Sequence, residues 1–247
     1  MGARAGPVGS RLAVVVTHAL LAAALTLSSA PAATAAATSA AEARVDCARV
    51  KCLALTFDDG PGAQTPTLLK TLRKANAKAT FFLVGKRVEE LPKIARQTLA
   101  EGHAVGDHTY SHQSLRALLD EEISQEIRLG RDVIQQATGY RPTMFRPPYG
   151  HTDDRVLRIA DEAGMSQIMW TGTTLDWSLR DARKITATVL KLARRDGVIL
   201  MHDTVPATVK AMPGILKELK KQGYHLVTVP TLARGGGKAL GAGVSYP

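Results

Sequence analysis

The chain has 247 residues and carries 32 Lys and Arg against 22 Asp and Glu, a formal charge of +10. That length suits one sizeable domain with a single core. Aromatics make up only 4% of the residues and no basic run is interleaved with them, which argues against nucleic acid; the charge reads as solvated outer helix faces, and in an exported protein it would also draw anionic cell-wall polymers.

At the N-terminus Arg4 and Arg11 precede an apolar stretch, "LAVVVTHALLAAALTL", followed by the small residues of "SSAPAATAAATSA". The stretch is short for a membrane span and no basic stop-transfer cluster follows it, so residues 1–36 are expected to be a secretory signal, with Ala32 or Ala36 as the last residue removed. Residues 37–46 read as a flexible lead. Cys47 and Cys52 are the only cysteines. In an exported protein they are expected to form a local disulfide that acts as a structural staple, since two Cys alone make a poor zinc site.

From residue 51 the chain alternates. Strand-like runs are "CLALTF", "ATFFLV", "HAVGDH", "TMFRPP", "SQIMWTG", "GVILMHD" and "HLVTV". Helical patterns lie between them over 65–75, 88–101, 115–138, 153–163, 181–195 and 209–222. Several of these end in Gly, the usual residue just past a helix. Repeated alternation implies a parallel sheet, either doubly wound or closed into a barrel. No Gly-x-Gly-x-x-Gly follows the first strand, so a dinucleotide fold has no support. The domain is expected over 47–232, with the Gly-rich 233–247 as a disordered extension.

The unusual polar residues fall where strands end: Asp58, Asp59, His108, Arg146, Asp176 and His202. In parallel α/β proteins that end carries the active site. Two adjacent carboxylates closing an apolar strand in "LTFDDGPG" admit two readings, an ordinary solvated turn or a site holding something positive. "HTYSH" supplies His108 and His112. If the strand hands over to a helical turn, i and i+4 share a face and both imidazoles can reach one ion. With one carboxylate of the Asp pair they make a two-His, one-carboxylate set, which fits catalytic zinc or iron(II). The other carboxylate would be a general base, and His202, ending an apolar strand, the candidate acid.

Five motifs in order, "TFDDG" (56–60), "HTYSH" (108–112), "RPPYG" (146–150), "LDW" (175–177) and "LMH" (200–202), resemble the polysaccharide deacetylases with a NodB homology domain, carbohydrate esterase family 4. The resemblance spans about 45–232. It implies an α/β fold, a distorted (β/α) barrel with about seven parallel strands. It also implies a secreted hydrolase, expected as a monomer, that removes N-acetyl groups from GlcNAc residues of peptidoglycan or chitin-type oligosaccharides; acetylxylan O-deacetylation and wall binding without catalysis are the alternatives. By the same resemblance Asp59, His108 and His112 hold one divalent metal ion, zinc foremost with Co2+ and others accepted, and Asp58 is the base, held by Arg146. The backbone N–H of Tyr149 resembles the oxyanion donor, His202 the acid kept cationic by Asp176, and Trp177 and Leu200 the groups seating the acetyl methyl. The chain departs from the family pattern at Thr173, where relatives often carry Asp, and at Ala104 and Asp107, where an acidic residue and Asn are common. Asp107 could add negative charge near the metal or cap the local turn, and His103 is expected to pack below the site.

Overall fold

The computed structural model describes residues 1–6, 9 and 45–247. The apolar stretch and both cleavage candidates of the expected signal lie outside the described residues. The chain divides into Met1–Ala30 and Pro31–Pro247, and every strand described here belongs to the second unit. Among the described residues no helix is long and apolar enough to cross a membrane.

The first strand, β1 (Cys52–Gly60), shows how the sequence builds the barrel. Side chains alternate across a strand. Leu53, Leu55 and Phe57 turn outward into a core shared with helices, while Ala54 turns inward to meet Phe82, Met144 and Ile168. The same alternation sends Thr56 and Asp58 inward. Asp58 therefore lies inside the barrel because of the period-2 pattern preceding it.

Around β1 the strands are β2 (Thr80–Leu83), β3 (Ala104–Asp107), β4 (Met144–Phe145), β5 (Ser166–Ile168), β6 (Gly172–Thr173), β7 (Gly197–His202), β8 (His225–Val227) and β9 (Ser245–Tyr246). The sheet order is β6-β7-β1-β2-β3-β4-β5-β9, and β8 also pairs β1. Every pairing is parallel. One edge of β1 pairs β7 from Leu53 to Asp58; the other is shared, its first residues with β8 and its later ones with β2. The sheet curls into a distorted (β/α) barrel whose end strands, β6 and β9, do not pair.

Two strands exceed the seven expected. The expected run "SQIMWTG" divides into β5 and the start of β6, and the two residues of β9 lie in the Gly-rich tail, where no apolar run marks them. The C-terminal extension is not free of structure: Ser245 and Tyr246 pair with β5, and Tyr246 is buried beside Ile168.

The helices are α1 (Thr65–Lys74), α2 (Gly85–Glu90), α3 (Pro92–Ala100), α4 (Asp120–Thr138), α5 (Asp154–Glu162), α6 (Asp176–Leu179), α7 (Ala182–Leu192), α8 (Pro206–Lys221) and α9 (Val229–Gly235). The pattern over 88–101 is two helices, not one. Leu91 leaves helical geometry because a proline follows, and Pro92 opens α3. The pattern over 115–138 likewise starts with a separate turn, Leu115–Ala117, before α4. The Cys47–Cys52 disulfide is present and packs with Val229, Leu232 and Ala233 of α9 against the barrel floor.

Candidate active site

Asp58 and Asp59 separate because β1 changes register against β2 between Phe57 and Gly60, and Asp59 adopts a left-handed φ of 68°. A bulge of this kind re-aims side chains. Asp58 remains in the ladder opposite His202 of β7, buried, while the Asp59 side chain turns toward the barrel mouth.

Arg146 follows β4 and is fully buried, its guanidinium 4.0 Å over the Phe82 ring. Nε donates to the Ile168 carbonyl at 2.9 Å and Nη2 to the Met169 carbonyl at 2.7 Å. Nη1 donates to Thr56 Oγ1 at 2.8 Å and to Asp58 Oδ1 at 2.7 Å. A buried cation is costly unless paired and hydrogen-bonded, and this fork meets both conditions. Burial lowers the Arg146 pKa while Asp58 opposes that shift. Asp58 Oδ1 is thereby fixed, and Oδ2 lies 3.8 Å from His108 Nε2.

His108 closes β3, and its Nδ1 lies 2.7 Å from the Arg146 carbonyl. That contact fits an Nδ1–H tautomer with Nε2 left as a ligand. The expected helical turn after His108 is absent. The segment is a loop with left-handed residues at Thr109 (φ 66°) and His112 (φ 61°), and His112 N–H donates to Thr109 Oγ1 at 3.1 Å. The loop still returns His112 to His108, their rings 4.9 Å apart.

Asp59 Oδ1 lies 3.5 Å from His108 Nε2 and 3.1 Å from His112 Nε2. One ligand atom from each residue falls within 4.8 Å of the others. Asp59 Oδ1 is buried and finds no well-aligned hydrogen-bond donor, which is what an oxygen reserved for a cation shows. Burial alone would push the Asp59 carboxyl up, but the two imidazoles outweigh it and hold it well below the usual range. The donor set of one carboxylate and two imidazoles fits a divalent ion such as zinc.

His202 ends β7. Its Nδ1 lies 2.8 Å from Asp176 Oδ1, and its backbone N–H donates to Asp176 Oδ2 at 2.8 Å. Thr208 Oγ1 adds a 2.6 Å bond to Oδ2. Burial alone would lower the His202 pKa; Asp176, aided by Asp58 and Asp59, reverses this and raises it to about 9. Burial likewise raises Asp176, but the bonds from His202 and Thr208 win and lower it.

A cavity of about 380 Å³ has Asp58, Asp59, His108, His112 and His202 on its wall. Leu200, Tyr149 and Trp177 line it too, as does Thr173 of β6. Tyr149 and Trp177 are 62% and 56% exposed, so neither is ordinary core. Tyr149 has a φ of 59° and its ring packs against His112 at 4.7 Å. Every residue expected at the site thus meets there, either on the cavity wall or, for Arg146 and Asp176, directly behind it. His103 does not: it is buried below, accepting from Ala79 N–H at 3.2 Å on Nδ1, and burial with the nearby Lys78 charge lowers its pKa to about 3. Asp107 is buried off the cavity, where burial pushes its carboxyl well above the usual range.

The polysaccharide deacetylase family profile matches residues 46–168. A peptidoglycan-N-acetylglucosamine deacetylase of Bacillus cereus is 39% identical over 190 residues, 74% of this chain and 89% of that protein. The chain belongs to the polysaccharide deacetylase family. The peptidoglycan-N-acetylglucosamine deacetylase PgdA of Listeria monocytogenes is 39% identical over 197 residues; the match takes in 79% of this chain but only 41% of that protein. The solved peptidoglycan deacetylase PdaC of Bacillus subtilis superposes with a TM-score of 0.73 at 37% identity, covering 77% of this chain and 93% of that one.

Other residues of this deacetylase domain's site were not singled out in the sequence. Trp170 and Leu175 line the cavity, Thr208 bonds Asp176, and Asp203, next to His202, is fully buried under Gly60. Asp203 follows "LMH" directly, so position alone could have flagged it. Thr208 carries no such signal.

Proposed function

We propose that this polysaccharide deacetylase is a secreted, metal-dependent hydrolase that removes N-acetyl groups from GlcNAc residues of cell-wall peptidoglycan or chitin-type chains. The observation that carries this reading is the division of labour at the β1 end. Asp58 Oδ1 is pinned by Arg146 while Oδ2 lies beside the convergent Asp59, His108 and His112. Support for the substrate comes from the relatives, which are named for peptidoglycan, and from the chain's positive charge. The disulfide suits an oxidising compartment.

A divalent ion held by Asp59, His108 and His112 would act as a Lewis acid toward the acetamide carbonyl and make a nearby water more acidic. Asp58 takes the proton from the attacking water, and Arg146 keeps that carboxylate ionised and aimed. The water oxygen adds to the carbonyl carbon as the carbonyl electrons move onto its oxygen. His202, cationic below about pH 9, gives a proton to the nitrogen as the carbon–nitrogen bond breaks, leaving acetate and a free amine. Trp177 and Leu200 present apolar surface for the acetyl methyl, and the exposed Tyr149 and Trp177 faces suit the flat side of a sugar ring.

The test is acetate release by the purified protein, stripped with chelator and re-supplied with zinc, on GlcNAc oligomers, peptidoglycan and acetylated xylan. Zinc-dependent release from the amino-sugar substrates is expected. Release from xylan alone would overturn the substrate, and release that persists without metal would overturn the site.

A further inference from the structure

Glu126 is the single buried acid of α4. The helix has Asp120, Glu121, Glu122 and Asp132 as well, and these are exposed or half-exposed. Among the described residues Glu126 enters no ion pair. A carboxylate taken out of water without a cation must be satisfied by neutral donors or it destabilises the fold. Its donors all come from one place. Ser111 N–H donates to Oε2 at 2.8 Å, Ser111 Oγ donates to Oε1 at 2.7 Å, and Gln113 Nε2 approaches Oε1 at 3.4 Å. The Glu126 carbonyl also accepts from Tyr110 N–H at 3.0 Å. Every one of these bonds falls on the loop between His108 and Ser114.

That loop also sends Tyr110 Oη to Glu89 Oε2 at 3.2 Å and Ser114 Oγ to within 2.8 Å of His151 Nδ1. It contains no helix or strand, and it carries two left-handed residues, Thr109 and His112, a conformation L-residues resist. On its far side the start of α2 contributes Gly85 N–H to the Thr109 carbonyl and Lys86 N–H to the Tyr110 carbonyl, both at 2.9 Å. On the α4 side Gly130, one turn after Glu126, has no room for a Cβ against the Thr109 carbonyl. The loop is therefore clamped between the start of α2 and the Glu126 face of α4. His112 follows immediately after Ser111, the residue that Glu126 holds twice.

We infer that Glu126 is a positioning residue that sets the protein's affinity for its metal ion, by holding Ser111 so that His112 Nε2 stays over Asp59. This rests on the reading of Asp59, His108 and His112 as a metal site. Glu126 touches neither substrate nor ion. Its effect is on how much of the protein presents three ligands at once, so it should govern binding of the ion and leave the loaded site's chemistry intact. Partners of this kind around metal ligands typically change affinity about 10- to 100-fold when removed.

The experiment measures zinc affinity by competition with a chromophoric chelator for the wild type and for Glu126→Ala, Glu126→Gln and Ser111→Ala. Melting temperatures of the metal-free proteins and kcat at saturating zinc are measured alongside. Glu126→Ala should bind zinc about 10- to 100-fold more weakly with kcat at saturating zinc within a few-fold of wild type. Glu126→Gln, which keeps one acceptor, should recover part of the loss, and Ser111→Ala, which removes one of the two bonds, should fall between. Should Glu126→Ala fail to fold, the ordering of the other two against wild type decides. Wild-type affinity in Glu126→Gln and Ser111→Ala together would overturn the inference, as would a loss of kcat that saturating zinc does not restore. Absence of zinc binding in the wild type would instead overturn the site reading beneath it.

Discussion

The Asp176–His202 pair makes the sharpest quantitative demand on the structure. His202 sits at a pKa of about 9 against an ordinary 6.5, a difference worth about 3 kcal/mol in favour of the cation. Burial opposes that shift, so removing the Asp176 charge leaves burial with only Asp58 and Asp59 against it. In Asp176→Asn the His202 pKa should therefore fall by about 2 units or more, to near or below its ordinary value. The assay is an NMR titration of the imidazole in metal-free wild type and variant, which avoids the field of a bound ion. At pH 8 a group with a pKa of about 9 is roughly 90% protonated and one near 6.5 only about 3%, so the supply of the acid form should drop about 30-fold. The stability consequence has a definite sign. A raised folded-state pKa contributes stability that is complete below pH 6.5 and lost as pH rises through about 9. The variant should thus be destabilised most near pH 6, with the gap to wild type closing above pH 9. A variant His202 that still titrates within one unit of wild type would refute the assignment of Asp176 as the group holding the proton.

Asp58→Asn should keep zinc bound at wild-type stoichiometry while acetate release falls about 10²- to 10⁴-fold; loss of metal with turnover retained would reverse the roles of the two aspartates. Arg146→Met strands a buried Asp58 and should cost about 3–5 kcal/mol in urea unfolding. Arg146→Lys should recover little of it, because an ammonium cannot reach the Ile168 and Met169 carbonyls and Asp58 together. A Lys variant as stable as wild type would show that the fork is dispensable. Asp203 has its pKa pushed by burial to about 7, with one oxygen accepting from Thr65 and the other unpartnered. Ionising it in the fold costs stability, a penalty that is absent below pH 3.8 and complete above about pH 7. Asp203→Asn, isosteric and neutral, should melt above wild type at pH 8 with the difference vanishing toward pH 4; an equal difference at both pH values would show that charge is not its cause.

How far the sequence speaks depends on the distance over which a signal acts. The alternation Leu53-Ala54-Leu55-Thr56-Phe57-Asp58 is local, and it foretells both a buried strand and the inward aim of its last carboxylate. β6 escapes notice because it begins inside the same run, "SQIMWTG", that supplies β5, and Tyr246 in a Gly-rich tail gives no sign that it will close against β5. At the site, the residues carrying chemistry sit inside short motifs and could be named, yet their conformations could not. The spacing of His108 and His112 suggests a helical turn, whereas the loop reaches the same ligand geometry through two left-handed residues, since spacing limits only which atoms can meet and not the path of the backbone between them. Glu126 shows the limit most plainly. In "EEISQEIRLG" it is one helix acid among several, with the 3.6-residue pattern placing it beside Ile123 and Ile127 on the buried face, a position where an acid reads as a flaw in the stripe. Only the fold, by bringing Ser111 to that face, turns the apparent flaw into a clamp. An acid out of phase with an amphipathic helix is thus the one trace that such support leaves in a sequence, and it names the residue without naming what it supports.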